Sequence, residues 1–120
     1  MKHILLADDN PHLRSALRLM LETRLNTPQV LEARDQTSMI DQCLTHHPDY
    51  LILDWELPGI EDRGCLTVLR DLLPELKIIV TSARPEAAAA AKSAHVDAFI
   101  SKTDPPSEIL SAIQRLNGKD

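Results

Sequence analysis

The sequence predicts an α/β domain in which one parallel sheet of five strands is doubly wound, with helices on both faces. Three observations point there. Short apolar runs alternate five times with longer stretches whose apolar residues recur at helical spacing. The middle run, "YLILD" (50–54), is apolar without alternation, as suits a strand buried on both faces. Each run is separated from the next by a segment of helical length, the right-handed crossover that parallel neighbours require. At 120 residues, 1–120 reads as one domain.

The first strand is "HILLA" (3–7). A helix follows from Pro11 to Leu25, with Asn10 as its N-cap and Pro11 at the first helical position, where a missing N–H costs nothing. Leu13, Leu17, Met20 and Leu21 give it one apolar face. "QVLEA" (29–33) is the second strand and "QTSMIDQCLTHH" (36–47) the second helix, ended by Pro48. The third strand, 50–54, leads into the loop "WELPGIEDRG" (55–64), and "CLTVLRDLL" (65–73) is a helix stopped by Pro74. "KIIVT" (77–81) is the fourth strand, and the Ala-rich "PEAAAAAKSA" (85–94) is a helix whose buried face is weakly specified. "DAFIS" (97–101) is the fifth strand. "PSEILSAIQRL" (106–116) is the last helix, with Ile109, Ile113 and Leu116 as its core stripe.

Composition narrows the function classes. The aromatics are Tyr50, Trp55 and Phe99 alone, so aliphatics and Ala build the core. A formal net charge of −5 counts against direct nucleic-acid binding, which wants clustered Lys and Arg. No apolar stretch approaches the ~20 residues of a membrane span, and the first apolar run breaks at Asp8, too early for a signal peptide. Cys43 and Cys65 lack C-x-x-C spacing and read as reduced, partly buried thiols. The five histidines show no ligand spacing.

Polar residues collect at the carboxyl ends of the strands, where open α/β sheets place their ligand sites. The first strand ends on Asp8 and Asp9, the third on Asp54, the fourth on Thr81 and Ser82, the fifth on Ser101 and Lys102. Two neighbouring carboxylates ~4 Å apart repel by roughly 4 kcal/mol at an effective dielectric of 20, so something must offset the acidic pair. Any one of these residues has an ordinary reading as a helix cap or a solvated side chain. Four compatible strand ends together do not. Hard oxygen ligands favour Mg²⁺, an opposing Lys suits phosphate charge, and a carboxylate held between the two is a nucleophile toward phosphorus.

Four stretches in order, "LLADDN", "LILDWELPG", "IIVTSA" and "AFISK", resemble the receiver domain of two-component response regulators over essentially the whole chain. The resemblance implies a flavodoxin-like (βα)5 fold with strand order 2-1-3-4-5. It implies that Asp54 accepts a phosphoryl group from the phosphohistidine of a sensor histidine kinase or phosphotransfer protein, in a Mg²⁺-dependent reaction. Asp9 and Asp54 would ligate the metal directly, Asp8 through water, and Glu56 by its main-chain carbonyl. Lys102 would pair with the phosphoryl group, Thr81 would hydrogen-bond to it, and Phe99 would swing inward with Thr81. That switch repacks the face of the fourth helix, fifth strand and fifth helix, and so controls an output domain or effector. A homodimer on phosphorylation and a cytoplasmic location belong to the same expectation.

Three positions depart from the family pattern. Thr103 follows Lys102 where many members carry a Pro with a cis bond, and His95 stands where Gly is frequent. Glu56 adds a carboxylate two residues after Asp54; its side chain is expected at solvent, with the metal or the phosphodonor as alternatives. Among rival functions, a two-metal nuclease site built from Asp8, Asp9, Asp54 and Glu56 suits the carboxylates but not the acidic net charge. An unphosphorylated binding module would generally lack one of the acidic residues, and none is missing. The stretch "ISKTDPPSEILSAIQRL" is similar to the end of receivers in regulators with a helix-turn-helix output domain.

Overall fold

The computed structural model describes residues 3–25, 29–60 and 64–117. Five strands, β1 (Ile4–Ala7), β2 (Val30–Ala33), β3 (Tyr50–Asp54), β4 (Lys77–Ser82) and β5 (Ala98–Ser101), alternate with five helices. These are α1 (Pro11–Leu25), α2 (Gln36–His46), α3 (Gly64–Leu72), α4 (Ala87–Ser93) and α5 (Ser107–Asn117). All neighbouring strands are parallel and their order is β2-β1-β3-β4-β5, as expected.

The two-residue period of the strands sorts the core into two layers. Leu5, Ala7, Leu51, Leu53, Ile78 and Val80 pack with Met39, Leu66 and Ala91 under α2, α3 and α4. Ile4, Leu6, Tyr50, Ile52, Ile79 and Ile100 face Leu17, Leu21, Ile109 and Ile113 of α1 and α5. β3 is buried along its entire length, which explains why its sequence shows no alternation. The Cys43 side chain is wholly buried in the first layer and Cys65 is half-buried beside it, both as free thiols.

The ends of the elements follow local chemistry. Asn10 caps α1, its Oδ1 accepting the N–H groups of His12 (3.0 Å) and Leu13 (3.2 Å). Asp35 and Ser38 form a reciprocal capping box on α2. His47 closes that helix in the left-handed region (φ 47°) just before Pro48. Gly59 has φ +91°, and a Cβ there would lie 2.9 Å from Gln36 Cβ, so the turn after β3 requires glycine. Residues 61–63 of the predicted loop lie outside the described residues. α4 starts at Ala87, two residues later than expected, because Pro85 and Glu86 form a tight turn in which Ala88 N–H donates to the Pro85 carbonyl. No side chain caps it.

Candidate functional site

Strand register gathers the site. Ala7 lies beside Leu53 and Asp54 beside Thr81, so β1, β3 and β4 end at one level. Alternation then places Asp8, Asp54 and Thr81 on the α1/α5 side, in line with Leu6, Ile52 and Ile79. Asp54 and Asp8 are buried, with side chains 3% and 7% exposed. The acidic pair therefore divides, Asp8 turning inward while Asp9 stays exposed.

Lys102 answers part of the charge. Its Nζ lies 3.1 Å from Asp54 Oδ2 and 3.2 Å from Asp8 Oδ2. Asp8 Oδ1 accepts the Asn10 N–H at 2.9 Å, and Asp54 Oδ1 accepts the Glu56 N–H at 3.0 Å. Burial, reinforced by the charge of Asp8, pushes the Asp54 carboxyl above its ordinary value; the Glu56 N–H and Lys102 act the other way without winning. Burial opposes the charge on Lys102, but the two carboxylates outweigh it and its pKa is raised.

The offset to acidic repulsion is thus divided between an ammonium and room for a cation. Asp8, Asp9 and Asp54 each offer a carboxylate oxygen within 4.8 Å of the others. Three converging hard oxygens, two of them buried, fit a small divalent cation such as Mg²⁺.

Thr81 is buried, and its carbonyl accepts the Trp55 N–H at 2.8 Å. A cavity of about 70 Å³ lies against Thr81 and Lys102, walled by Leu13, Leu17, Ile100 and Ile109. Phe99 pairs with Val80 and is half-buried against the α2/α3/α4 layer, across the sheet from Thr81. Among the described residues there is no cis peptide bond. Lys102 is instead followed by a turn in which Ser101 Oγ accepts the Thr103 N–H (3.1 Å) and the Ser101 carbonyl accepts that of Asp104 (3.0 Å). His95 adopts the left-handed conformation (φ 59°) that the frequent family Gly suggests, and its carbonyl is held by Arg70 Nη2 at 2.8 Å.

Glu56 is exposed, as expected, but its side chain is held by neighbours. It extends neither freely to solvent nor into the carboxylate cluster. Ser82 Oγ donates to its two oxygens (3.1 and 2.9 Å), and Arg84 Nη2 approaches Oε2 at 3.3 Å. Two participants escaped the sequence reading. Arg84 carries no local signal, lying 28 residues from Glu56 in an ordinary turn. Arg14, whose Nη1 donates to the Asp8 carbonyl at 2.7 Å, looks like any polar residue one turn into a helix.

The sequence profile of the response regulator receiver domain matches residues 4–114. Among curated proteins, the chain is 32% identical over 115 residues to the transcriptional activator protein ExaE of Pseudomonas putida. That match covers 94% of this chain and 54% of ExaE, so the chain spans about half the length of such relatives. Among solved structures, the isolated receiver domain of RcsB from Salmonella enterica serovar Typhimurium superposes with a TM-score of 0.84 at 23% identity, covering 98% of this chain and 88% of that one. The response regulator TrrA of Thermotoga maritima, solved with Mg²⁺ and a beryllium fluoride, gives 0.81 at 25% identity over 97% and 99% of the two chains.

Proposed function

Because this chain belongs to the response regulator receiver domain family of two-component systems, we propose that Asp54 is its phosphoacceptor and that Lys102 and Thr81 assist the transfer. The observation that supports this most is the position of the Lys102 ammonium between two buried carboxylates, 3.1 Å from Asp54 and 3.2 Å from Asp8.

A carboxylate oxygen of Asp54 attacks the phosphorus of a phosphohistidine on a sensor kinase or phosphotransfer protein. The P–N bond breaks, its electron pair stays on the imidazole nitrogen, and an acyl phosphate remains on Asp54. Burial makes Asp54 more basic than a surface carboxylate, hence a better nucleophile once ionised. Lys102 turns from the Asp54 oxygen to the phosphoryl oxygens while keeping Asp8 as its second partner. Thr81, beside Asp54 in the register, donates its hydroxyl to the new group. The carboxylates of Asp9 and Asp54, the Glu56 carbonyl and, through water, Asp8 would hold Mg²⁺, which when bound neutralises charge on the phosphoryl group.

Movement of Thr81, with Phe99 following, alters the face formed by α4, β5 and α5. That face controls an output domain, a second copy of the chain or another effector; the relatives' names favour control of transcription. The acidic balance counts against direct DNA contact by this domain, and among the described residues no helix is long and apolar enough to cross a membrane.

Intact mass spectrometry after incubation with a small phosphodonor and Mg²⁺ tests the assignment. One phosphoryl group is expected on the wild type and none on Asp54→Asn or without Mg²⁺. Full labelling of Asp54→Asn would overturn the choice of acceptor.

A further inference from the structure

We propose that Ser82 and Arg84 are positioning residues that act on Asp54 through Glu56, an inference that rests on Asp54 being the phosphoacceptor. Glu56 touches the site with its backbone, whose N–H fixes Asp54 Oδ1 at 3.0 Å. Its side chain runs the other way, toward the end of β4 and the segment that follows it. There the Ser82 hydroxyl donates to both carboxylate oxygens, at 3.1 and 2.9 Å, and Arg84 Nη2 reaches Oε2 at 3.3 Å. The Ser82 oxygen in turn accepts the Arg84 N–H at 3.0 Å, so the hydroxyl is used as donor and acceptor together.

Ser82 is 1% exposed and cannot swing aside. One residue before it, the Thr81 carbonyl takes the Trp55 N–H. The exit of β3 is therefore tied to the end of β4 twice, by the backbone of Trp55 and by the side chain of Glu56. Between those ties, the Glu56 amide is held where it pins one oxygen of Asp54 and leaves the other toward Lys102. A nucleophile is aligned when its carboxylate cannot rotate, and small losses of alignment slow the reaction without unfolding the protein. The two arms differ: the Ser82 bond is partly buried and charge-assisted, whereas Arg84 is 57% exposed and open to screening by salt.

Two measurements on the full chain test this. The first is the rate of phosphoryl incorporation at Asp54 from a saturating small phosphodonor with Mg²⁺, read by intact mass, with melting temperatures confirming that each variant is folded. Ser82→Ala and Glu56→Ala are each expected to slow the maximal rate by about tenfold, the loss of one charge-assisted hydrogen bond. The double variant is expected to be no slower than either alone. Glu56→Gln keeps an acceptor for the hydroxyl and should stay within about twofold of wild type. Arg84→Ala should cost about twofold, a difference that fades in high salt.

The second measurement is hydrogen exchange of the Glu56 amide, without phosphodonor or metal. Ser82→Ala should accelerate it by about tenfold while β2 amides are unchanged. Unchanged rates and exchange, a double variant slowed by the product of the single effects, or Glu56→Gln as slow as Glu56→Ala would each overturn the proposal. If wild-type Asp54 takes no phosphoryl group, the acceptor assignment fails and the positioning role falls with it. Equal labelling of wild type and Ser82→Ala overturns the positioning role alone.

Discussion

The two edges of the sheet each hold a charge network, and they are balanced in opposite ways. At the amino-terminal edge Arg70 binds Asp97 Oδ2 at 2.6 Å and the carbonyls of His95 (2.8 Å) and Leu76 (3.2 Å). The same Asp97 oxygen accepts the Ile78 N–H at 2.7 Å. One cation meets one anion there, with amides and carbonyls filling the remaining valences. At the carboxyl edge one ammonium faces two buried carboxylates, with a third exposed beside them. A balanced pair staples α3 to the start of β5. An excess of negative charge costs stability, and the proposed function supplies a reason to keep it: under that proposal the edge takes up a divalent cation and then a phosphoryl group.

The sharpest way to break the comparison is to remove each cation in turn. Lys102→Met should lower the rate of Asp54 phosphorylation by about a hundredfold or more, the cost of deleting a preorganised charge at a reacting centre; rapid-quench labelling measures it. Arg70→Met should leave the labelling rate of folded protein near wild type. Mg²⁺ provides the next largest contrast. At one hundred times its dissociation constant it should stabilise the wild type by about 2.7 kcal/mol, and Asp9→Ala should lose most of that gain; thermal melts with and without metal read the difference.

Arg70→Met should itself destabilise by about 2 kcal/mol, since a charge-assisted pair and two capped carbonyls are lost together; urea unfolding measures it. A further contrast lies in pH. The Asp54 carboxyl is raised in the folded state by burial and by Asp8, so its ionised form costs stability. That cost is absent below the unfolded value near 3.8, grows as pH rises toward the folded value, and is complete above it. Metal-free Asp54→Asn should accordingly melt higher than wild type at neutral pH, with the advantage vanishing in acid. Smallest of all, Glu22→Ala at a partly exposed position of α1 should change stability by roughly 0.5 kcal/mol or less, although Arg18 lies 3.1 Å away.

What could be read from the sequence was what is encoded locally or by chain order. Asn10 and Pro11 specify the start of α1 because a cap acts within three residues. The strand-end residues Asp8, Asp54, Thr81 and Lys102 declare themselves because parallel strands all terminate on one edge. The exposure of Glu56 was legible, but its partners, Ser82 and Arg84, were not, because they are 26 and 28 residues distant and are brought near only by strand pairing. The start of α4 was misplaced because an alanine run fits a helix in any register and no side chain marks its first turn. His95 is tolerated in a left-handed conformation partly through Arg70, a bond across 25 residues that no local pattern announces.

Cys43 lies at the centre of the α2/α3/α4 layer with no exposed surface, and burial, aided slightly by Cys65, pushes its thiol up to about 12. Only a thiolate alkylates quickly, so while the layer is closed this sulfur is both hidden and protonated. Its labelling therefore clocks the rare events in which the whole core parts, whereas the half-buried Cys65 registers shallower fluctuations of α3. Two cysteines with no assigned chemistry thus form a paired stopwatch, able to time how phosphorylating or metal-loading conditions alter the lifetime of the closed domain.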